Sequence, residues 1–212
     1  MSTVNPQQQT ALQEGQMLPV MEHFYTLQGE GAHTGLASYF IRIGGCDVGC
    51  HWCDVKESWD ATRHPLTAIH DLAQTAAKYC KTIVLTGGEP TMWNLEPLTK
   101  QLHDLGCKIH IETSGAYPLT GHIDWICVSP KKTALPRPDI LQKANELKCI
   151  IYNRHDFQFA EQYAAQVSPS CELYLQPEWS KSQQITPEII EYILKNPKWK
   201  ISLQTHKFLN IP

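Results

Sequence analysis

Three thiols stand within eight residues of one another in the run IRIGGCDVGCHWCDVKESWD, residues 41–60: Cys46, Cys50 and Cys53. The other cysteines, Cys80, Cys107, Cys127, Cys149 and Cys171, are scattered in or beside apolar runs, where a free thiol packs as a small hydrophobe. A closed structural zinc site takes four protein ligands, usually as two separated pairs. His51 and Asp54 could complete such a set. However, His51 lies between Cys50 and Cys53, where a short loop has trouble turning it to the same ion, and the chain has no second C-x-x-C. Three thiolates from one loop suit a cubane [4Fe-4S] cluster with one iron lacking a protein ligand, and soft thiolates favour iron–sulfur sites. An open iron accepts a small chelating ligand, which makes such a site catalytic in principle.

The elements around this loop alternate. Residues 38–44 read as a strand, 65–80 as a helix with Pro65 in its first turn, and 82–90 as a buried strand running into a glycine turn. Helix 95–106 closes on Gly106, followed by strands over 108–115 and 123–130. Helix 139–148, strand 149–152, helix 155–167 and strand 171–178 come next. A helix over 186–196, with Thr186 as N-cap and Pro187 at its first position, leads to a last strand over 198–205. Such alternation implies a parallel sheet with helices outside it. The chain is short of the roughly 250 residues of a complete eight-fold barrel, so an incomplete or open α/β barrel is expected. The cysteine loop, TGGEP (86–90), ETSG (112–115), SPKK (129–132) and LQPE (175–178) all fall at strand ends and should face one mouth.

Composition narrows the classes of function. The 212 residues are 42% apolar and 18% charged, with a net charge of −3. That is a globular balance, with no electrostatic case for a nucleic acid or an anionic membrane. No apolar run approaches the ~18 residues of a membrane span. The first residues have neither the basic nor the apolar region of a signal peptide. A cytoplasmic protein is expected, so eight cysteines do not imply disulfides. Residues 1–18 read as a polar, flexible lead-in and 19–212 as a single domain.

C-x3-C-x2-C, with Trp52 before the last cysteine and a later strand ending in TGGEP, resembles the radical S-adenosylmethionine (SAM) superfamily. The resemblance implies an incomplete, (β/α)6-type TIM-like barrel. It also implies that the open iron chelates SAM, whose reductive cleavage yields a radical that abstracts a substrate hydrogen. The flanking runs FYTLQGEGAHTGLASYFIRIGGC (24–46), TGGEP, ETSG, SPK (129–131), LQP (175–177) and LQTHKFLNIP (203–212) resemble the 7-carboxy-7-deazaguanine synthase family from about residue 20 onward. That family converts 6-carboxy-5,6,7,8-tetrahydropterin to 7-carboxy-7-deazaguanine with loss of ammonia, toward queuosine and other 7-deazapurines. A homodimer and a reducing partner such as flavodoxin or ferredoxin are implied with it.

Carried onto this chain, the resemblance implies Cys46, Cys50 and Cys53 as cluster ligands. Trp52, Gly88, Ser129, Lys131 and Gln176 would meet SAM, with Glu89 and Ser114 as weaker candidates. Leu27, Gln28, Gly29, Arg42, Thr86 and Pro212 would meet the pterin, and His206 could position the tail. A guanidinium at Arg42 can fork onto a substrate carboxylate. In the family, the threonine of a Cys-Asp-Thr run helps to bind Mg2+; here the run reads Cys53, Asp54, Val55, and valine offers no oxygen. Mg2+ is therefore expected more weakly, through Asp54, water or backbone. Two alternatives stand beside this reading: a radical SAM activase acting on a partner protein, and a non-enzymatic zinc module.

Overall fold

The computed structural model describes residues 5–212. Helix α1 (Pro6–Gln13) is followed by strands β1 (Met17–Leu27), β2 (Ala37–Ile43) and β3 (Leu66–Ala68), and by helix α2 (Ile69–Tyr79). Strand β4 (Thr82–Gly87), helix α3 (Glu96–Asp104), and strands β5 (Lys108–Thr113) and β6 (Trp125–Val128) come next. Then follow α4 (Pro138–Leu141), β7 (Glu146–Ile151), α5 (His155–Ala164), β8 (Glu172–Pro177), α6 (Ser182–Lys195), β9 (Trp199–Ile201) and α7 (Thr205–Leu209). The nine strands form one sheet in the order β3-β1-β2-β4-β5-β6-β7-β8-β9. From β2 to β9 every pairing is parallel, while β1 pairs antiparallel with both β2 and β3. No described helix is long and apolar enough to cross a membrane.

Strand periodicity sorts the chemistry from the core. Successive strand residues point to opposite faces. Ile41, Ile83, Leu85, Ile109, Ile111, Leu147, Cys149 and Leu175 belong to one buried apolar core with Leu72, Leu98, Leu102 and Ile189 of the helices. The alternate positions carry Arg42, Thr86, Glu112, Lys148 and Gln176, and Arg42 pairs in register with Thr86. These residues line the interior.

The sheet does not close on itself, because its outermost strands are β3 and β9. Between the β1–β2 ribbon and the β8–β9 side run the loop after β1 and the segment after β9. They are bonded to each other: the Gly31 amide donates to Ser202 Oγ at 2.9 Å, and the Thr205 amide to the Gly29 carbonyl at 2.9 Å. The loop also reaches β7, where Ala32 N donates to Glu146 Oε2 at 3.2 Å. Gly31 has φ +65°, and a Cβ there would lie 2.0 Å from Glu146 Oε1, so glycine answers both the backbone conformation and the close packing.

Several expected elements are corrected. The lead-in expected over 1–18 includes α1, held by an Asn5–Gln8 capping box with Pro6 in its first turn, and the start of β1 with Leu18 buried; residues 1–4 lie outside the described residues. The helix expected over 65–80 starts at Ile69, because Leu66–Ala68 pair with Met17–Pro19 as an edge strand. The helix expected over 139–148 is one turn, Pro138–Leu141. Glu146–Lys148 belong to β7, their polar side chains turned inward and so lost to an apolar-spacing reading. Helix α6 starts at Ser182, not after Thr186, and carries Pro187 internally; Ile185 and Ile189, one turn apart, extend its buried face upstream of the proline. The last strand covers only Trp199–Ile201, because the chain then leaves the sheet for the open seam.

Candidate active site

The cysteine loop leaves the end of β2 and is pinned by backbone bonds. Gly45 N donates to Ser58 O at 2.7 Å, Cys46 N to Trp59 O at 3.0 Å, and Cys53 N to Cys50 O at 3.1 Å. The turn after β4 packs directly on it: Gly88 N donates to Ile43 O at 2.9 Å and Glu89 N to Gly45 O at 2.8 Å. A Cβ on Gly88 would come within 2.3 Å of the Gly45 carbonyl oxygen, so this contact admits no side chain. Cys46, Cys50 and Cys53 are all free and half-buried. Burial pushes the Cys46 and Cys50 thiols up. A metal reverses that preference, because a coordinating thiol is deprotonated outright. Three soft ligands on one pinned turn fit an iron–sulfur cluster with an open iron.

The three cysteines border a cavity of about 320 Å³. All of the other site residues expected from the sequence line the same cavity: Trp52, Gly88, Ser129, Lys131 and Gln176, and Leu27, Gln28, Gly29, Arg42, Thr86 and Pro212. On the cysteine side, Lys131 Nζ donates to Ser129 O at 2.7 Å and Ser129 Oγ at 2.6 Å, and lies 5.6 Å from the centroid of Trp52. Burial lowers the Lys131 pKa, opposed by a Cys50 thiolate. Gln176 accepts from Ser202 Oγ at 2.6 Å. Glu89 is wholly occupied: its carboxylate accepts from the amide and hydroxyl of both Thr91 and Ser114 and from Thr113 Oγ1. It ties the turn to β5 and caps the short helix after it.

On the other side, Arg42 Nε donates to Oε1 of its cross-strand neighbour Glu22 at 2.7 Å. The buried Gln28 donates weakly to Glu112 at 3.4 Å. The Gly29 carbonyl takes two donors from Thr205.

The sequence reading missed the floor. Lys148 Nζ, 4% exposed, donates to Glu30 Oε2 at 2.7 Å and to Glu112 Oε2 at 2.8 Å. Gln204 donates to the other Glu30 oxygen at 2.9 Å. Burial opposes ionisation of Glu30, but Lys148 and these donors hold its pKa at about 2. Burial likewise acts against the Lys148 charge, and the surrounding anions raise its pKa well above the ordinary value. Glu30 and Glu112 belonged to recognised runs, but Lys148 sat in an expected helix. Its one available signal was the in–out alternation of ELKCII.

Asp54 and Val55 also line the cavity. Asp54 Oδ2 accepts from Lys207 Nζ at 2.8 Å and more distantly from Gln204 at 3.5 Å. Asp54, the carboxylate expected beside a weak Mg2+ position, thus carries a lysine ammonium on one of its two oxygens.

Comparison with known proteins agrees with this geometry. Residues 40–129 match the Radical SAM superfamily. The chain is 60% identical to the 7-carboxy-7-deazaguanine synthase of Flavobacterium psychrophilum over 204 residues, 96% of this chain and 97% of that one. It is 49% identical to the 7-carboxy-7-deazaguanine synthase of Synechocystis sp., over 91% of this chain and 93% of the relative. The crystal structure of QueE from Escherichia coli superposes with a TM-score of 0.82 at 30% identity, covering 93% of this chain and 98% of that chain.

Proposed function

The chain belongs to the 7-carboxy-7-deazaguanine synthase family, and from that premise we propose that it converts 6-carboxy-5,6,7,8-tetrahydropterin to 7-carboxy-7-deazaguanine with loss of ammonia, as a radical SAM lyase serving 7-deazapurine biosynthesis. The observation that carries this reading is the single cavity shared by the three-cysteine turn and by Arg42, Thr86 and the Leu27–Gly29 loop.

Cys46, Cys50 and Cys53 hold the [4Fe-4S] cluster, and the bound cluster and SAM supply one-electron cleavage and hydrogen abstraction. Trp52 packs on the adenine of SAM. The Gly88 backbone meets its amino group, and the absent side chain lets this turn lie directly on the cysteine loop. Ser129, Lys131 and Gln176 bind its ribose and carboxylate edge. On the substrate, Arg42 forks onto the carboxylate, Thr86 hydrogen-bonds beside it, and the Leu27–Gly29 backbone reads the pterin ring. The 202–212 segment seals the open seam of the sheet and brings Pro212 to the cavity wall. Water is thereby kept from the reacting ring.

The electron comes from a small reducing protein such as flavodoxin or ferredoxin, the working form is a homodimer, and the setting is the cytoplasm. Oxygen-free incubation with SAM, reductant and the carboxypterin tests the reaction. A new deazapurine chromophore with ammonia release is expected. SAM cleavage without that product would turn the assignment toward an activase of a partner protein. One zinc per chain and no sulfide would replace it with a zinc module.

A further inference from the structure

The starts of β5 and β6 lie at the end of the sheet opposite the cysteine mouth, separated from it by roughly 15–20 Å of strand. Three metal-ligating side chains meet there: His103 in the last turn of α3, and His122 and Asp124 in the segment entering β6. One ligand atom from each lies within 4.8 Å of the other two. His103 Nε2 is 2.8 Å from Asp124 Oδ2, and the rings of His103 and His122 have centroids 4.7 Å apart, tilted by 40°.

The segment that carries His122 and Asp124 is fixed on both sides. Asp124 is tied twice to Ile109: Oδ2 accepts from the Ile109 amide at 2.7 Å, and the Asp124 amide donates to the Ile109 carbonyl at 2.9 Å. The turn before His122 is pressed onto α3. Leu95 N donates to Thr120 Oγ1 at 2.8 Å, and a Cβ on Gly121, which has φ +77°, would lie 2.2 Å from Thr99 Oγ1. Ile123 packs against the core, while His122 and Asp124 on either side of it are exposed.

An ion pair accounts for His103 and Asp124 but not for the second imidazole, whose neutral form offers one ring nitrogen as a lone-pair donor. Two imidazoles and a carboxylate are a zinc ligand set. Bond lengths of ~2.0–2.2 Å in a tetrahedral arrangement put ligand atoms roughly 3.3 Å apart. The spacings here, from 2.8 Å up to 4.8 Å, bracket that value, so small side-chain rotations close the triad around an ion.

We propose that His103, His122 and Asp124 form a zinc site, with water as fourth ligand, that clamps the end of α3 to the segment entering β6. On binding, Zn2+ takes the place of the hydrogen between His103 Nε2 and Asp124, and in the neutral ring that proton moves to Nδ1. The site is separate from the cysteine turn and serves stability, not turnover.

The test is oxygen-free equilibrium dialysis of cluster-loaded enzyme, stripped with EDTA and then freed of it, against Zn2+. Zinc and iron are counted, and the zinc shell is read by X-ray absorption. One Zn2+ per chain is expected beside about four irons, with nitrogen and oxygen at ~2.0–2.2 Å and no sulfur at ~2.3 Å. With zinc at about ten times its Kd, the melting temperature should rise by about 4 °C. His122→Ala, at an exposed position, should weaken zinc binding about 100-fold and lose the thermal shift, with deazapurine turnover unchanged. No bound zinc, sulfur in its shell, or equally tight binding by His122→Ala would each overturn the proposal. An active enzyme that binds no zinc counts against this site alone. One that binds zinc as expected but makes no deazapurine counts against the assigned reaction alone.

Discussion

At the rim of the cavity, three thiols from one short turn stand free and half-buried. At its floor, Lys148, Glu30 and Glu112, drawn from β7, the loop after β1 and β5, are locked in ion pairs. The rim holds ligands in reserve: burial keeps at least two of its thiols protonated until something binds them. The floor has spent its charges on one another. Breaking a buried pair costs far more than the pair itself contributes, because an uncompensated charge is left behind. The rim can therefore lose a side chain at little cost in stability, whereas the floor loses several kcal/mol.

The contrast can be broken most severely at the rim. Cys50→Ala should take bound iron from about four per chain toward zero and abolish turnover, while the urea midpoint of the apoprotein stays near that of the unsubstituted chain. A comparable loss of apoprotein stability would show that the thiols also support the fold. At the floor, Lys148→Met should lower unfolding stability by about 3–5 kcal/mol in urea titration, because Glu30 and Glu112 lose their shared partner. If Glu30→Gln added to Lys148→Met restored nothing, the ion pairs would not be the reason.

Gly88→Ala joins the two effects on a smaller scale. Its Cβ would meet the Gly45 carbonyl, so a shifted cysteine turn, impaired cluster loading and a stability loss of about 1–3 kcal/mol are expected from iron analysis and melting. Full loading with native stability would mean the turn is looser than its bonds suggest. The smallest effect, read one pH unit at a time, lies on β5 at His110. Burial first, then the neighbouring His33, depresses its pKa to about 4. The unfolded chain takes up a proton near 6.5 that the native state refuses until about 4. Stability should thus be level above that window and fall by about 1 kcal/mol per pH unit within it. His110→Asn should flatten that fall in urea midpoints measured from pH 7 to 4.5.

Legibility followed the same division. The cysteine turn, TGGEP, ETSG, SPKK and LQPE were readable because each is a contiguous run whose residue types do chemistry together. Their meeting at one mouth followed from the rule that parallel strands present function at their C-terminal ends. Strand β1 went unread, although its VMEHFYTL run is rich in aromatic and branched residues, because Pro19 and a polar preamble mask its start. Its antiparallel pairing also lay outside a purely alternating scheme. Lys148 reads as helical in the sequence because inward-facing charge on a strand mimics the polar face of a helix.

The sequence by itself determined the three clustered thiols and their spacing, the apolar outer face of the parallel strands, and the valine that removes an oxygen beside Asp54. These are properties of contiguous residues, set by side-chain chemistry and by the two-residue period of a strand. Only the tertiary structure decided that Glu30 meets Lys148, that the 202–212 segment fills the seam of an unclosed sheet, and that Lys207 sits on Asp54. Those contacts join residues more than a hundred positions apart, and folding alone brings such charges within bonding distance.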